Sequence, residues 1–130
     1  MPTILKKVLL AEDDPDIQKV AKMSLKFAGV AQITVVENGE ECLAAVGKEK
    51  PDVILLDVMM PKMDGYETCR RLKEDSATKS IPVIFLTAKA QHFEVKKGLE
   101  LGACGYLTKP FNPMTLHAEI VALLDQAPKP

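Results

Sequence analysis

Short apolar segments alternate along this chain with longer amphipathic segments. Five of the short segments are rich in aliphatic and β-branched side chains: 8–11, 33–36, 53–56, 82–86 and 105–108. Runs of this length with few polar positions are typical of strands that are buried on both faces of a parallel sheet. We therefore expect five strands, of which the segment 105–108 has the weakest apolar pattern.

Helical periodicity occupies the segments between and after these strands. The first helix is indicated by apolar or small residues at the spacing of one helix face, namely Ile17, Val20, Ala21, Ser24 and Ala28. Pro15 suits its first turn, because the N–H that proline lacks has no partner there. Shorter helices are predicted over 39–48, 65–74 and 91–102, and Gly102 is the expected end of the last of these. A final helix, with Asn112-Pro113 as its start signal, contains Leu116, Ile120, Leu123 and Leu124.

The alternation of strand and helix, repeated five times, predicts the fold class. Parallel strands require crossover connections, and helices usually supply them. We therefore expect an α/β fold with a central parallel sheet and helices on both faces. The chain has 130 residues, which fits one domain of ordinary size. We assign this domain to residues 1–125 and expect 126–130 to be a tail or the start of a linker.

Composition and charge exclude several classes of protein. Hydrophobic residues make up 47% of the chain and charged residues 27%, as in ordinary globular domains. The formal net charge of −1 predicts no general attraction to nucleic acid or to a membrane surface. No apolar run approaches the roughly 20 residues of a membrane span. The three cysteines lack the spacing of a zinc site and cannot all pair with one another, so we expect a reduced, cytoplasmic protein.

Polar residues follow four of the five predicted strands at the point where each strand ends. Glu12-Asp13-Asp14, Asp57, Thr87 and Lys109 occupy these positions. Each of them alone has an ordinary structural explanation, such as capping of the first helix by Asp14. However, ligands of open α/β sheets bind beyond the carboxyl ends of the strands, where all four positions would meet. Their joint occurrence predicts a functional site at this edge.

Among these acidic residues, Asp57 is the one least well explained by a purely structural role, such as helix capping. It continues the apolar segment 53–56 and is followed by Val58, so a strand would carry it into buried surroundings. A buried carboxylate is costly unless a cation or hydrogen-bond donors accompany it. The sequence offers two such partners, Lys109 and a metal ion held together with Glu12 and Asp13. Oxygen ligands without nearby histidine or cysteine favour Mg²⁺ or Mn²⁺.

An aspartate in this setting can carry a phosphoryl group. Its carboxylate can attack phosphorus and form an acyl phosphate. A metal ion and Lys109 would neutralise the phosphoryl oxygens, and the Thr87 hydroxyl could donate a hydrogen bond to one of them. The same arrangement would admit water, so the modification is expected to be reversible.

These residues lie in blocks that resemble the receiver domain of two-component response regulators, the group that includes the single-domain chemotaxis regulator. The resemblance extends from about Lys7 to about Leu124. The matching blocks are Val8-Leu9-Leu10-Ala11-Glu12-Asp13-Asp14-Pro15, Pro51 through Pro61, Met63-Asp64-Gly65, Pro82 through Ala88, and Gly102-Ala103 with Tyr106 through Phe111. The resemblance implies a flavodoxin-like, doubly wound (βα)5 fold with the strand order 2-1-3-4-5, and a cis bond between Lys109 and Pro110.

The resemblance also implies a role for each residue of the site. Asp57 would be the phosphoacceptor, and Thr87 and Lys109 would contact the phosphoryl group. Asp13 would bind Mg²⁺ directly, with Glu12 nearby or acting through water. The backbone carbonyl of Met59 would complete the metal ligands supplied by the protein. Tyr106 would turn inward when Thr87 moves toward the phosphate.

The implied function is a phosphorylation-controlled signalling switch rather than an enzyme acting on other molecules. A histidine kinase or phosphotransfer protein would supply the phosphoryl group. The output would be a changed affinity for a protein target or for another copy, through the last two helices and the last strand.

Two other classes of protein fit the residues less well. A binding module without phosphorylation is disfavoured because the acidic residues, Thr87 and Lys109 are all present. A phosphatase would want a carboxylate where Met59 stands, and a flavodoxin would want a phosphate-binding loop where Glu12-Asp13-Asp14 stand.

Overall fold

The five apolar segments form the five parallel strands of one central sheet. The computed structural model describes residues 4–88 and 92–126. Its strands are β1 Lys7–Ala11, β2 Gln32–Val36, β3 Val53–Asp57, β4 Val83–Thr87 and β5 Gly105–Thr108. They lie in the order β2-β1-β3-β4-β5, and every neighbouring pair is parallel. The expected flavodoxin-like α/β fold is thereby confirmed, with β3 at the centre and all its residues buried.

Five helices connect or follow the strands. They are α1 Pro15–Phe27, α2 Gly39–Glu49, α3 Gly65–Glu74, α4 His92–Glu100 and α5 Leu116–Gln126. The predicted end of α4 at Gly102 is two residues late, because the chain leaves the helix in a turn in which Gly102 has a φ of +99°. The predicted start of α5 at Asn112-Pro113 is early. Asn112 there begins a turn, in which its side chain accepts a hydrogen bond from the Met114 N–H at 2.9 Å.

Alternating side chains of the strands build one apolar layer on each face of the sheet. Leu10 and its neighbours pack with α1 and α5 on one face, whereas Leu9 packs with α2 and α3 on the other. Helix α4 lies on the α2–α3 side, since a Cβ at Gly98 would stand only 2.9 Å from the ring of Phe85. Helices therefore cover both faces of the sheet. The buried strands remain accessible at their ends.

The C-terminal boundary predicted for the domain falls at the end of the described residues. Helix α5 extends through Gln126, the first residue of the predicted tail. The other four residues of that tail lie outside the described residues, so the division at 125/126 stays a prediction. Within residues 4–88 and 92–126, no helix has both the length and the apolar character that a membrane crossing requires.

Candidate functional site

The loop after β1 carries two acidic residues in different environments. Glu12 is fully buried, and its backbone N–H continues the sheet by donating to the Val36 carbonyl at 2.9 Å. Its side chain turns inward and accepts a hydrogen bond from the Asp14 N–H at 3.0 Å. Asp13 is exposed. Asp14 caps α1 as expected, because its carboxylate accepts from the Asp16 N–H at 2.9 Å. The loop thus holds one carboxylate inside and presents the next one to solvent.

Asp57 is the last residue of β3 and lies at the centre of the same edge. The residue is only 2% exposed, in agreement with the buried position expected from the sequence. Its Oδ1 accepts a hydrogen bond from the Met59 N–H at 3.2 Å. The chain then returns close to the strand, because a Cβ at Gly65 would stand 2.3 Å from the Asp57 carbonyl oxygen. Glycine is therefore required at position 65 for α3 to begin against the end of β3.

Lys109 enters the site from the loop after β5. Its backbone N–H donates to the Thr87 carbonyl at 2.8 Å, which extends the pairing of β4 with β5 by one residue. The following bond to Pro110 is cis, as expected. The Lys109 Nζ lies 3.0 Å from Glu12 Oε1 and 3.1 Å from Asp57 Oδ2. One ammonium group thus bridges the two buried carboxylates.

Burial and charge act against each other in this cluster. Burial raises the pKa of Glu12 to about 7, although its hydrogen bonds from Asp14 and Lys109 oppose that shift. The negative charge of Asp57 raises the same pKa further. Burial lowers the pKa of the Lys109 ammonium, but the two carboxylates outweigh this and place its pKa above the ordinary value. A single positive charge therefore leaves an excess of negative potential at the site.

The acidic residues suit a hard divalent cation. One carboxylate oxygen from each of Glu12, Asp13 and Asp57 lies within 4.8 Å of the others. Three carboxylates so close together repel one another unless a cation neutralises them. The donor set contains oxygen without sulfur or imidazole, and Mg²⁺ and Mn²⁺ favour oxygen ligands. The residues present therefore fit the cation that the sequence predicts.

Of the remaining predicted site residues, Thr87 and Met59 lie at the same edge of the sheet, whereas Tyr106 lies two positions before the end of β5. Thr87 is the partly buried last residue of β4. Tyr106 lies in β5 beside Phe85, and its partly buried side chain packs against the apolar layer on the α2–α3 side. Met59 is 77% exposed, and its backbone stays beside Asp57.

One hydrogen bond at the site was not predicted from the sequence. The Gln18 side-chain amide, on α1, donates to the Glu12 carbonyl oxygen at 2.5 Å. Gln18 stands six positions after Glu12 and belongs to no motif, so only the geometry of the helix start identifies it. The role of Gly65 was also incompletely predicted. Gly65 belongs to the matching block Met63-Asp64-Gly65, but its close approach to Asp57 is visible only in the fold.

Comparisons with known proteins agree with this architecture. Residues 8–121 match the family model described as response regulator receiver domain. The chain is 42% identical over 119 residues to the alkaline phosphatase synthesis transcriptional regulatory protein PhoP of Bacillus subtilis. The matched region covers 92% of this chain and 48% of that protein. The chain thus spans about half the length of this curated relative.

Solved structures give the same result. A putative response regulator from Chloroflexus aurantiacus superimposes with a TM-score of 0.85 at 32% identity, covering 95% of this chain and 100% of that one. The chemotaxis response regulator CheY4 of Vibrio cholerae also gives a TM-score of 0.85, at 33% identity over 92% of this chain and 99% of its own. The extent of these matches, together with the fold, shows that this chain belongs to the response regulator receiver domains of two-component signalling.

Proposed function

We propose that this receiver domain accepts a phosphoryl group on Asp57 and signals by changing its affinity for partner proteins. The observation that carries the proposal is the position of the Asp57 carboxylate. It is nearly buried at the end of the central strand, 3.1 Å from the Lys109 ammonium and grouped with two further carboxylates. A buried carboxylate that lies between the Lys109 ammonium and a pocket for a metal ion is suited to attack a phosphoryl group. The ammonium and the metal ion would then neutralise the charge of that group.

The transfer step forms one bond and breaks another. An Asp57 carboxylate oxygen attacks the phosphorus of a phosphohistidine on a histidine kinase or phosphotransfer protein. The P–N bond of the donor breaks, its electrons return to the imidazole, and an acyl phosphate remains on Asp57. Lys109 would then exchange its contact with the Asp57 oxygen for a contact with a phosphoryl oxygen. The receiver thereby promotes its own phosphorylation.

Receiver domains bind Mg²⁺ at an acidic pocket, and Glu12, Asp13 and Asp57 form such a pocket here. We assign direct contacts to Asp13, Asp57 and the Met59 carbonyl, with Glu12 nearby or acting through water. When bound, Mg²⁺ would supply positive charge to the phosphoryl oxygens, and Mn²⁺ could take its place. The exposure of Asp13 leaves this side of the pocket open to the ion and to the phosphodonor.

Loss of the phosphoryl group follows from the same geometry. Water can attack the phosphorus of the acyl phosphate and regenerate the Asp57 carboxylate together with inorganic phosphate. The side chain of Met59 is exposed beside the site and offers no group that could act as a base. Among the residues that the structure describes, Lys109 would promote dephosphorylation by neutralising charge on the phosphoryl group, and a bound cation would add to this neutralisation.

The conformational change that alters partner binding would begin at Thr87. A phosphoryl group on Asp57 offers new acceptor oxygens to the Thr87 hydroxyl at the end of the neighbouring strand. A shift of Thr87 would leave space into which Tyr106 turns from its present half-buried position. The surface formed by α4, β5 and α5 would change in consequence, and a protein target or another copy would bind there. We expect the setting to be cytoplasmic, and we expect this domain itself to make no contact with nucleic acid or membrane.

The proposal is tested by incubating the chain with acetyl phosphate and Mg²⁺ and measuring its intact mass. We expect one added phosphoryl group in the wild type and none when Mg²⁺ is chelated. Asp57→Asn should remain unlabelled, while Asp64→Asn serves as the control. Asp64 lies in the loop after β3 and caps α3 through its side chain, a function that asparagine also performs. Equal labelling of Asp57→Asn and the wild type would refute the assignment.

A further inference from the structure

Glu12 is held by hydrogen bonds at its backbone N–H, its carboxylate and its carbonyl oxygen, and three of its four partners lie outside β1 and the loop that follows it. The backbone N–H bonds to Val36 in β2, and the carboxylate bonds to Lys109 and to the Asp14 N–H. The carbonyl oxygen accepts from the Gln18 side-chain amide at 2.5 Å. This last bond ties the loop that carries the acidic residues to α1.

The Glu12 carbonyl belongs to the same rigid unit as the backbone nitrogen of Asp13. A peptide group is planar, so fixing the direction of its oxygen also fixes the plane that leads into the next residue. Asp13 is exposed, and its side chain is one of the three whose oxygens lie within 4.8 Å of one another. The bond from Gln18 therefore restrains the backbone from which Asp13 projects.

Gln18 is itself well anchored. Its backbone N–H donates to the Asp14 carbonyl at 3.0 Å within the first turn of α1, and Asp14 caps that turn. Further along the same helix, the Ser24 hydroxyl donates to the Pro113 carbonyl at 2.6 Å. The amide of Gln18 thus projects from a helix that is held at its start and near its end. A partly buried donor on such a support can orient a loop with little loss of side-chain entropy.

We propose that Gln18 is a positioning residue for the cation pocket, which holds the Glu12–Asp13 peptide in the orientation that lets both carboxylates face Asp57. This inference rests on the proposed role of Glu12, Asp13 and Asp57 in binding Mg²⁺. Gln18 does not contact the cation and acts only through the backbone of the acidic loop. Its removal should therefore weaken cation binding, although all the ligand side chains are still present.

The test measures Mg²⁺ affinity by calorimetric titration without any phosphodonor, alongside the free energy of unfolding in urea with the metal chelated. Gln18→Met keeps the length of the side chain and removes the donor. A neutral hydrogen bond of this kind corresponds to roughly a threefold to tenfold change in an equilibrium constant, and we expect a loss of Mg²⁺ affinity of that size. Gln18→His, measured at about pH 8 where an exposed imidazole is neutral, offers an N–H at similar reach and should recover much of the affinity.

Ser24→Ala is the matched control. It removes a hydrogen bond from the same helix to another backbone carbonyl, so it should cost comparable stability. Its Mg²⁺ affinity should stay within about twofold of the wild type, because the acidic loop is untouched. Unchanged Mg²⁺ affinity in Gln18→Met, or an equal loss of Mg²⁺ affinity in Ser24→Ala, would overturn the proposed role of Gln18 and leave the proposed cation pocket unaffected. Absence of Mg²⁺ binding by the wild type would overturn the proposed pocket as well.

Discussion

The Lys109 ammonium donates a hydrogen bond to the Asp57 carboxylate at 3.1 Å, although the two residues are 52 positions apart. Their side chains are 16% and 3% exposed, so neither charge is well solvated. A charge in such surroundings is tolerated because its partner is present, and removal of one partner leaves the other without compensation. The pair therefore couples the end of β3 to the loop after β5, and it makes the site sensitive to any change in its charge.

Replacement of Lys109 should destabilise the metal-free protein. Lys109→Met leaves two buried carboxylates facing each other, and we expect the free energy of unfolding in chelator at about pH 8 to fall by about 2 kcal/mol or more. Added Mg²⁺ should recover part of this loss, since it supplies positive charge to the same carboxylates. Lys48→Met, at an exposed position of α2, should change stability by less than about 0.5 kcal/mol. Equal effects of the two substitutions in urea titrations would contradict this view of the site.

The buried Glu12 predicts an unusual pH dependence. Its pKa is about 7 in the folded chain because of burial, against an ordinary value of 4.5. The folded state therefore binds more protons than the unfolded state between these two values, and its stability falls as the pH rises through this window. In chelator we expect the wild type to lose roughly 1–3 kcal/mol from this group between about pH 5 and about pH 8.

Glu12→Gln removes that titration and supplies the comparison. The variant should show a flatter stability profile over the same range and should exceed the wild type in stability at about pH 8. Its Mg²⁺ affinity should be weaker, since a neutral amide replaces a carboxylate. Parallel profiles for the two proteins in urea titrations at several pH values would mean that Glu12 is ionised throughout, and burial would then not raise its pKa.

Gly65 should tolerate no larger side chain. Gly65→Ala would bring a Cβ to 2.3 Å from the Asp57 carbonyl oxygen, so either α3 or the end of β3 must move. We expect a loss of about 1–3 kcal/mol in the free energy of unfolding and slower labelling by acetyl phosphate. Gly47→Ala in α2 is the control, because its Cβ would meet no atom within 4 Å. That variant should gain roughly 0.5–1 kcal/mol, and a loss in both variants would show that crowding at Asp57 is not the cause.

The proposed movement of Tyr106 can be followed by its own fluorescence. The chain has two tyrosines and no tryptophan, so Tyr66→Phe leaves Tyr106 as the reporter. Phosphorylation should change the emission of this variant, because the ring moves from a half-buried to a more buried site. The additional substitution Thr87→Ala should abolish the change while labelling by acetyl phosphate persists. An emission change that persists without the Thr87 hydroxyl would show that Tyr106 does not depend on Thr87 for its movement.

The strands and the acidic edge could be predicted because each depends on local pattern. Buried parallel strands are short apolar runs, and the residues after them necessarily meet at one edge of the sheet. Asp57 could be recognised for this reason, since it continues such a run without a polar neighbour. Helix ends were predicted less well. Asn112 forms a turn before α5 because its side chain bonds to the Met114 N–H, and a start signal does not distinguish a turn from a helix.

The contacts that join distant loops could not be predicted from the sequence. Lys109 was expected near Asp57, but its simultaneous bond to Glu12 depends on how far the loop after β1 turns inward. The bond of Gln18 to the Glu12 carbonyl depends on the angle at which α1 leaves the same loop. The 77% exposure of Met59 likewise follows from the path of the loop after β3. Apolar character alone predicts burial and contains no information about that path.

The central claim is that Asp57 carries the phosphoryl group, and chemical trapping of the acyl phosphate tests it most directly. The chain is incubated with acetyl phosphate and Mg²⁺, reduced with borohydride, digested and sequenced by mass spectrometry. Reduction converts an aspartyl phosphate to homoserine and leaves free carboxylates unchanged. We predict homoserine at position 57, and its absence when Mg²⁺ is chelated. Homoserine at Asp13 or Asp64 with unmodified aspartate at position 57 would contradict the claim.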